Sequence, residues 1–116
     1  MKGESEMFAI EEGLQKICGV TVETYRREVA ETNTSLTVEA GTTGYTGTPC
    51  RKAGSRTFVA IVCECGDFVF NPVLDESKRI AGIEISACGD AALDALMKAL
   101  DFARQAVDDQ RRGADD

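Results

Sequence analysis

The chain has 116 residues and a formal net charge of −7, with 13 Lys/Arg against 20 Asp/Glu, which suits one domain that repels nucleic acid and anionic membranes. It holds no histidine, so Ser–His–Asp and Cys–His catalysis and every His-ligated metal site are excluded. No apolar run nears the ~20 residues of a membrane span, and the acidic start MKGESEMFAIEEG is no signal peptide, so a cytoplasmic location is expected.

In residues 6–18, Met7, Ile10, Leu14 and Ile17 stand at helical spacing. Ser5 precedes them as an N-cap and Gly19 follows as a helix-ending glycine, so a first amphipathic helix is expected. Residues 20–31 fit a strand through Val20 and Val22, or a helix through Val22, Tyr25 and Val29. The strand is preferred, because Thr32-Asn33-Thr34 then reads as a turn. Residues 35–40 alternate, with Leu36, Val38 and Ala40 on one face. Residues 56–65 are apolar on both faces, as in a central strand or one buried at an interface. Gly66-Asp67 is a hairpin signal that should return residues 67–74 along that strand until Asn71-Pro72 ends it. Residues 80–87 alternate again through Ile83 and Ile85. Last, Gly89-Asp90 caps a helix whose apolar stripe is Leu93, Leu96, Met97, Leu100, Ala103 and Val107.

This order gives an α+β domain over residues 1–107. An antiparallel sheet of four to five strands is flanked by an N-terminal and a longer C-terminal helix. Residues 108–116 read as a charged, disordered tail. The doubly apolar strand points to a homo-oligomer that covers the second face of the sheet.

Chemistry concentrates between Gly41 and Thr57. The segment holds four glycines, six serine and threonine hydroxyls and three cations, Arg51, Lys52 and Arg56, and no acid occurs between Glu39 and Glu64. Glycines let backbone amides turn toward a ligand, hydroxyls donate hydrogen bonds and cations neutralise an anion. An anion cradle would therefore use Thr42, Thr43, Gly44, Thr46, Gly47, Arg51, Lys52 and Arg56. No Gly-Lys-Ser/Thr opens a helix, and a strand follows the segment, so neither a Walker A loop nor a dinucleotide fingerprint is present. The plain alternative is a surface hairpin loop whose glycines serve turns.

The five cysteines are odd in number and widely spaced, and they read as reduced thiols. Cys63 and Cys65 would share one strand face, but no Cys-x-x-Cys knuckle accompanies them, so no metal is expected. Cys50 beside Arg51 and Lys52 has the setting of a reactive thiol without a base nearby. No catalytic residue is assigned, and no cofactor is expected. Asp90, Asp94, Asp101, Asp108 and Asp109 read as a solvated helix face or, more sharply, as a mimic of nucleic-acid charge.

The run Thr37-Val38-Glu39-Ala40-Gly41-Thr42-Thr43-Gly44-Tyr45, with Gly54-Ser55-Arg56-Thr57-Phe58 about ten residues on and Gly89-Asp90 before the last helix, resembles a group of small bacterial and phage proteins. The resemblance spans roughly residues 35–105. It implies a phage or mobile-element counter-defence role, as a sponge for signalling nucleotides or a blocker of a nuclease. Where that group carries glycines with Asp and His, this chain has Thr48-Pro49-Cys50-Arg51-Lys52-Ala53, so chemistry resting on that Asp or His is not implied here.

The sequence therefore suggests a non-enzymatic protein that binds a nucleotide- or phosphate-like anion at 41–57. The alternative is an acidic interaction module that inhibits a basic or nucleic-acid-binding protein, in the manner of an anti-CRISPR or anti-restriction protein. Neither reading involves direct nucleic-acid binding or a membrane.

Overall fold

The computed structural model describes residues 10–44 and 54–115. Strands β1 (Glu11–Ile17), β2 (Val20–Glu31), β3 (Thr34–Thr42) and β4 (Thr57–Cys65) form one antiparallel sheet in that order. Strands β5 (Phe68–Leu74) and β6 (Ile80–Ala87) pair with each other as a separate two-stranded sheet, and helix α1 (Asp90–Asp115) ends the chain. The architecture is α+β.

No N-terminal helix occurs among the described residues; residues 11–17 are β1 instead. The reversal at Cys18-Gly19 explains the difference. Both residues take positive φ, 50° and 85°, as a two-residue type I′ hairpin requires, and Ile17 pairs with Val20 across it. Gly19 thus serves a turn and caps no helix. Leu14, expected on a buried helix stripe, is 67% exposed. Residues 20–31 do form a strand, and Asn33 at φ 53° turns it into β3.

The Gly66-Asp67 reversal differs as well: β5 does not return along β4. Gly66 sits at φ 131°, outside the left-handed values of a tight hairpin turn, so the chain swings out of the sheet. Nor does Asn71-Pro72 end β5, since Pro72 pairs with Ile83 inside it. Each strand of a two-stranded sheet has an open edge, and a residue without an N–H is tolerated there.

The core lies between the first sheet and α1. Val29, Leu36, Val38 and Ala40 face the helix, which meets them with Ala95, Ala99, Phe102, Ala103 and Ala106. The leucine stripe expected to pack supplies Ala103 and, at the margin, Val107. Leu93, Met97 and Leu100 remain 52–59% exposed. The apolar arc of α1 is wider than one face, and the part that meets the sheet packs mostly alanines, with Phe102, against the side chains of β2 and β3. The helix continues to Asp115, through the segment read as a tail.

Candidate functional site

Four residues of the expected anion site, Thr46, Gly47, Arg51 and Lys52, lie outside the described residues, as does Cys50. The other four, Thr42, Thr43, Gly44 and Arg56, come together where the loop leaves and rejoins the sheet. Thr43 N donates to Arg56 O at 2.9 Å, and Arg56 N donates to Thr43 Oγ1 at 2.9 Å. Thr42 Oγ1 donates to Arg56 O at 3.1 Å, lies 2.8 Å from Thr57 Oγ1 and accepts from Gly44 N at 3.1 Å. These amides and hydroxyls therefore bond to the neck of the loop itself.

Arg56 is only 8% exposed. Its Nε donates to Ile17 O at 3.2 Å and its Nη1 to Gly54 O at 2.7 Å. The side chain ties the end of β1 to the start of β4 and so curls the sheet. Composition identified the residue as important but not this clamping role, because the partner carbonyl of Ile17 lies 39 positions away.

The face of the sheet turned away from α1 carries a buried polar cluster. Glu39 Oε2 accepts from Thr24 Oγ1 at 2.6 Å and from Gln15 Nε2 at 3.0 Å, and Arg26 Nη1 stands 3.8 Å from Oε1. Burial works to raise the Glu39 pKa. The Thr24 and Gln15 hydrogen bonds and the Arg26 charge outweigh it and hold the carboxyl below its ordinary value. Two glycines make the cluster possible. A Cβ on Gly13 would lie 2.9 Å from Thr24 Oγ1, and one on Gly41 would lie 2.2 Å from the Glu23 carbonyl oxygen. The pattern Gly-Thr-Thr-Gly drew attention to Gly41 as a ligand-facing residue, yet its lack of a side chain serves the close approach of β2 and β3.

On the helix side, the β1–β2 hairpin holds a cleft of about 340 Å³ lined by Glu12, Gly13, Leu14, Glu23, Thr24 and Tyr25. Register places Glu12 opposite Tyr25 and Leu14 opposite Glu23. The two carboxylates are thus diagonal neighbours on one face, where like charges repel. Both are exposed and Tyr25 is half-buried; among the described residues no cation lines the cleft, although the same register puts Arg27 diagonal to Glu12 and Lys16 diagonal to Glu23 at its edges. Sequence reading missed this site because it assigned Glu12 and Leu14 to a helix. The antiparallel pairing 11–17 with 20–26 would have revealed it.

Among the described residues no three Cys, Asp or Glu converge as metal ligands do. The expected shared face of Cys63 and Cys65 is disturbed, since Cys63 pairs with Leu36 and Cys65 with Ser35 across a register shift. Compared with known proteins, the chain matches no protein-family model, no curated protein and no solved structure.

Proposed function

We propose that the protein is a non-enzymatic interaction module whose β1–β2 cleft takes a cationic side chain of a basic protein partner. One observation carries this reading: Glu12 and Glu23 flank an aromatic ring in a cleft that, among the described residues, no cation lines. Magnitudes choose the class of partner. Each exposed carboxylate–guanidinium contact contributes roughly 0.2–1 kcal/mol, and a cation over the Tyr25 ring about 0.5–1 kcal/mol. Together these fall short of the ~4 kcal/mol of even a millimolar complex. A free amine is therefore held poorly. A partner surface that also covers Leu14, 67% exposed, and Ile10, 54% exposed, gains the remainder from apolar burial. A partner that uses its basic surface for nucleic acid would be inhibited by occupation of that surface.

The test is fluorescence anisotropy with a labelled hexapeptide of alternating arginine and leucine. The double substitution Glu12→Gln/Glu23→Gln should weaken binding about tenfold. Asp94→Asn/Asp101→Asn, which removes the same charge elsewhere, should weaken it less than twofold. Equal effects would reduce the reading to bulk charge.

A second reading keeps a nucleotide- or phosphate-like anion at the 41–57 loop. In its favour, a cation 8% exposed is fixed at the root of the loop by the Gly54 carbonyl, 2.7 Å away. Adenosine diphosphate and inorganic phosphate are the probes. A ligand at 100 times its Kd adds about 2.7 kcal/mol of stability, and an unchanged melting temperature with both removes this reading.

A further inference from the structure

The leucine flank of α1 and the β5–β6 hairpin are two apolar surfaces on one chain that do not cover each other. On the helix, Leu93, Met97 and Leu100 are 52%, 59% and 53% exposed. Lys98, two positions from Leu100 and so on the opposite flank, pairs with Glu31 of β2. Met97, two positions from both Ala95 and Ala99, thus faces away from the sheet, while Leu93 and Leu100 look toward β4. There Val59, which pairs with the core residue Ala40, is still 52% exposed, because α1 rests on β3 and β2 and barely reaches β4.

The hairpin is an arm. Phe68 joins the core at its base, and Cys88 N donates to Asp67 O at 3.0 Å. Its tip is closed by Asp75 Oδ1, which accepts from Ser77 N at 2.8 Å and Arg79 N at 3.0 Å. One face aligns Phe70 with Ile85 and Pro72 with Ile83. Leu74, Ile80 and Ile83 are 52%, 73% and 60% exposed. A two-stranded hairpin standing alone in water is marginally stable, and this one is nearly free of contact with α1.

We propose that the protein is a two-fold dimer in which the β5–β6 arm of each copy lies across the leucine flank of its partner's α1. Area and charge select a second copy as occupant. Val59, Leu74, Ile80, Ile83, Leu93, Met97 and Leu100, each between 52% and 73% exposed, represent roughly 700 Å² per chain, close to the contribution of one partner to an interface of standard size. The arm carries Lys78 and Arg79 at its tip, Arg79 within 4.0 Å of Asp75, and the leucine flank carries Asp94 and an Asp101–Arg104 pair, also at 4.0 Å. Crossing arms bring Lys78 of each copy toward Asp94 of the other, a local attraction that fixes the register of the contact between two chains of net charge −7. Two-fold symmetry satisfies both surfaces of both chains at once. The β1–β2 cleft is not part of this contact.

Sedimentation equilibrium at 50 µM should give twice the 12.5 kDa chain mass. Ile83→Asp on the arm and Leu100→Asp on the flank should each give a monomer. An equimolar mixture of the two variants should recover a heterodimer, because one intact arm then meets one intact flank. A monomeric wild type overturns the proposal. So does a dimer that both variants leave intact, or a mixture that stays monomeric. Should either variant fail to fold, hydrogen exchange of the wild type decides. Amides of residues 69–74 and 80–86 should be at least tenfold more protected at 50 µM than at 0.5 µM. Equal protection overturns the proposal.

Discussion

The side-chain amide of Gln110 donates to the carbonyl oxygen of Glu23 at 2.8 Å. Its oxygen accepts from Thr42 N at 2.9 Å. A single residue near the end of α1 thus fixes the helix to the cleft strand and to the neck of the 41–57 loop. Gln110→Ala leaves a part-buried amide without its partner and should cost about 1–2 kcal/mol. For a domain of this size that is a fall of roughly 5 °C in melting temperature by calorimetry. An unchanged Tm would show that the last turns of α1 do not brace the neck.

Gly41 and Gly19 should respond very differently to a methyl group. At Gly41 the added carbon meets backbone at 2.2 Å from Glu23 O and 2.8 Å from Thr24 Cα. Gly41→Ala should therefore cost at least ~3 kcal/mol in urea denaturation. At Gly19 the space is open, and only the positive φ of 85° opposes a side chain. Gly19→Ala should cost about 1–2 kcal/mol. Equal costs would contradict the packing of β3 against β2.

The alanine face of α1 makes its own prediction. Ala99 is fully buried against the sheet, so Ala99→Leu must push the helix off β3. The cost should be about 1–3 kcal/mol, read as a lower urea midpoint at unchanged slope. A neutral or stabilising result would mean that the leucine flank, not the alanine face, packs on the sheet.

Much of the strand order was legible because period-two alternation survives in 35–40 and 80–87, and because Thr32-Asn33 is a conventional turn. The first strand was hidden, since Leu14 and Ile17 satisfy helical and extended spacing alike and Cys18-Gly19 is an unusual pair for a type I′ turn. The separate hairpin was hidden for another reason. Whether β5 pairs with β4 depends on the φ of Gly66, which composition does not reveal. The site was harder still. Thr42, Thr43 and Arg56 were recognised as special, but hydroxyls that bond inward and hydroxyls that face a ligand have the same sequence. Glu12 and Glu23 become neighbours only once the β1–β2 register exists.

Acid should expose the Glu39 cluster. Its carboxyl is held below the ordinary value of 4.5 in the folded chain. The stabilisation is therefore complete above that value and lost as pH falls through the lowered folded pKa. Glu39→Gln keeps an oxygen that accepts from Thr24 but removes the titration. Unfolding free energy measured from pH 7 to pH 3 should fall more steeply below 4.5 in the wild type than in this variant. Parallel curves would contradict the assignment.

The interaction reading stands on the cleft, and amide chemical-shift mapping with the arginine–leucine hexapeptide addresses it most directly. Shifts should centre on residues 12–14 and 23–25 and nearly vanish in Glu12→Gln/Glu23→Gln at the same peptide concentration. Shifts spread along the acidic face of α1, or unchanged by that double substitution, would contradict the claim that Glu12, Glu23 and Tyr25 form the binding site.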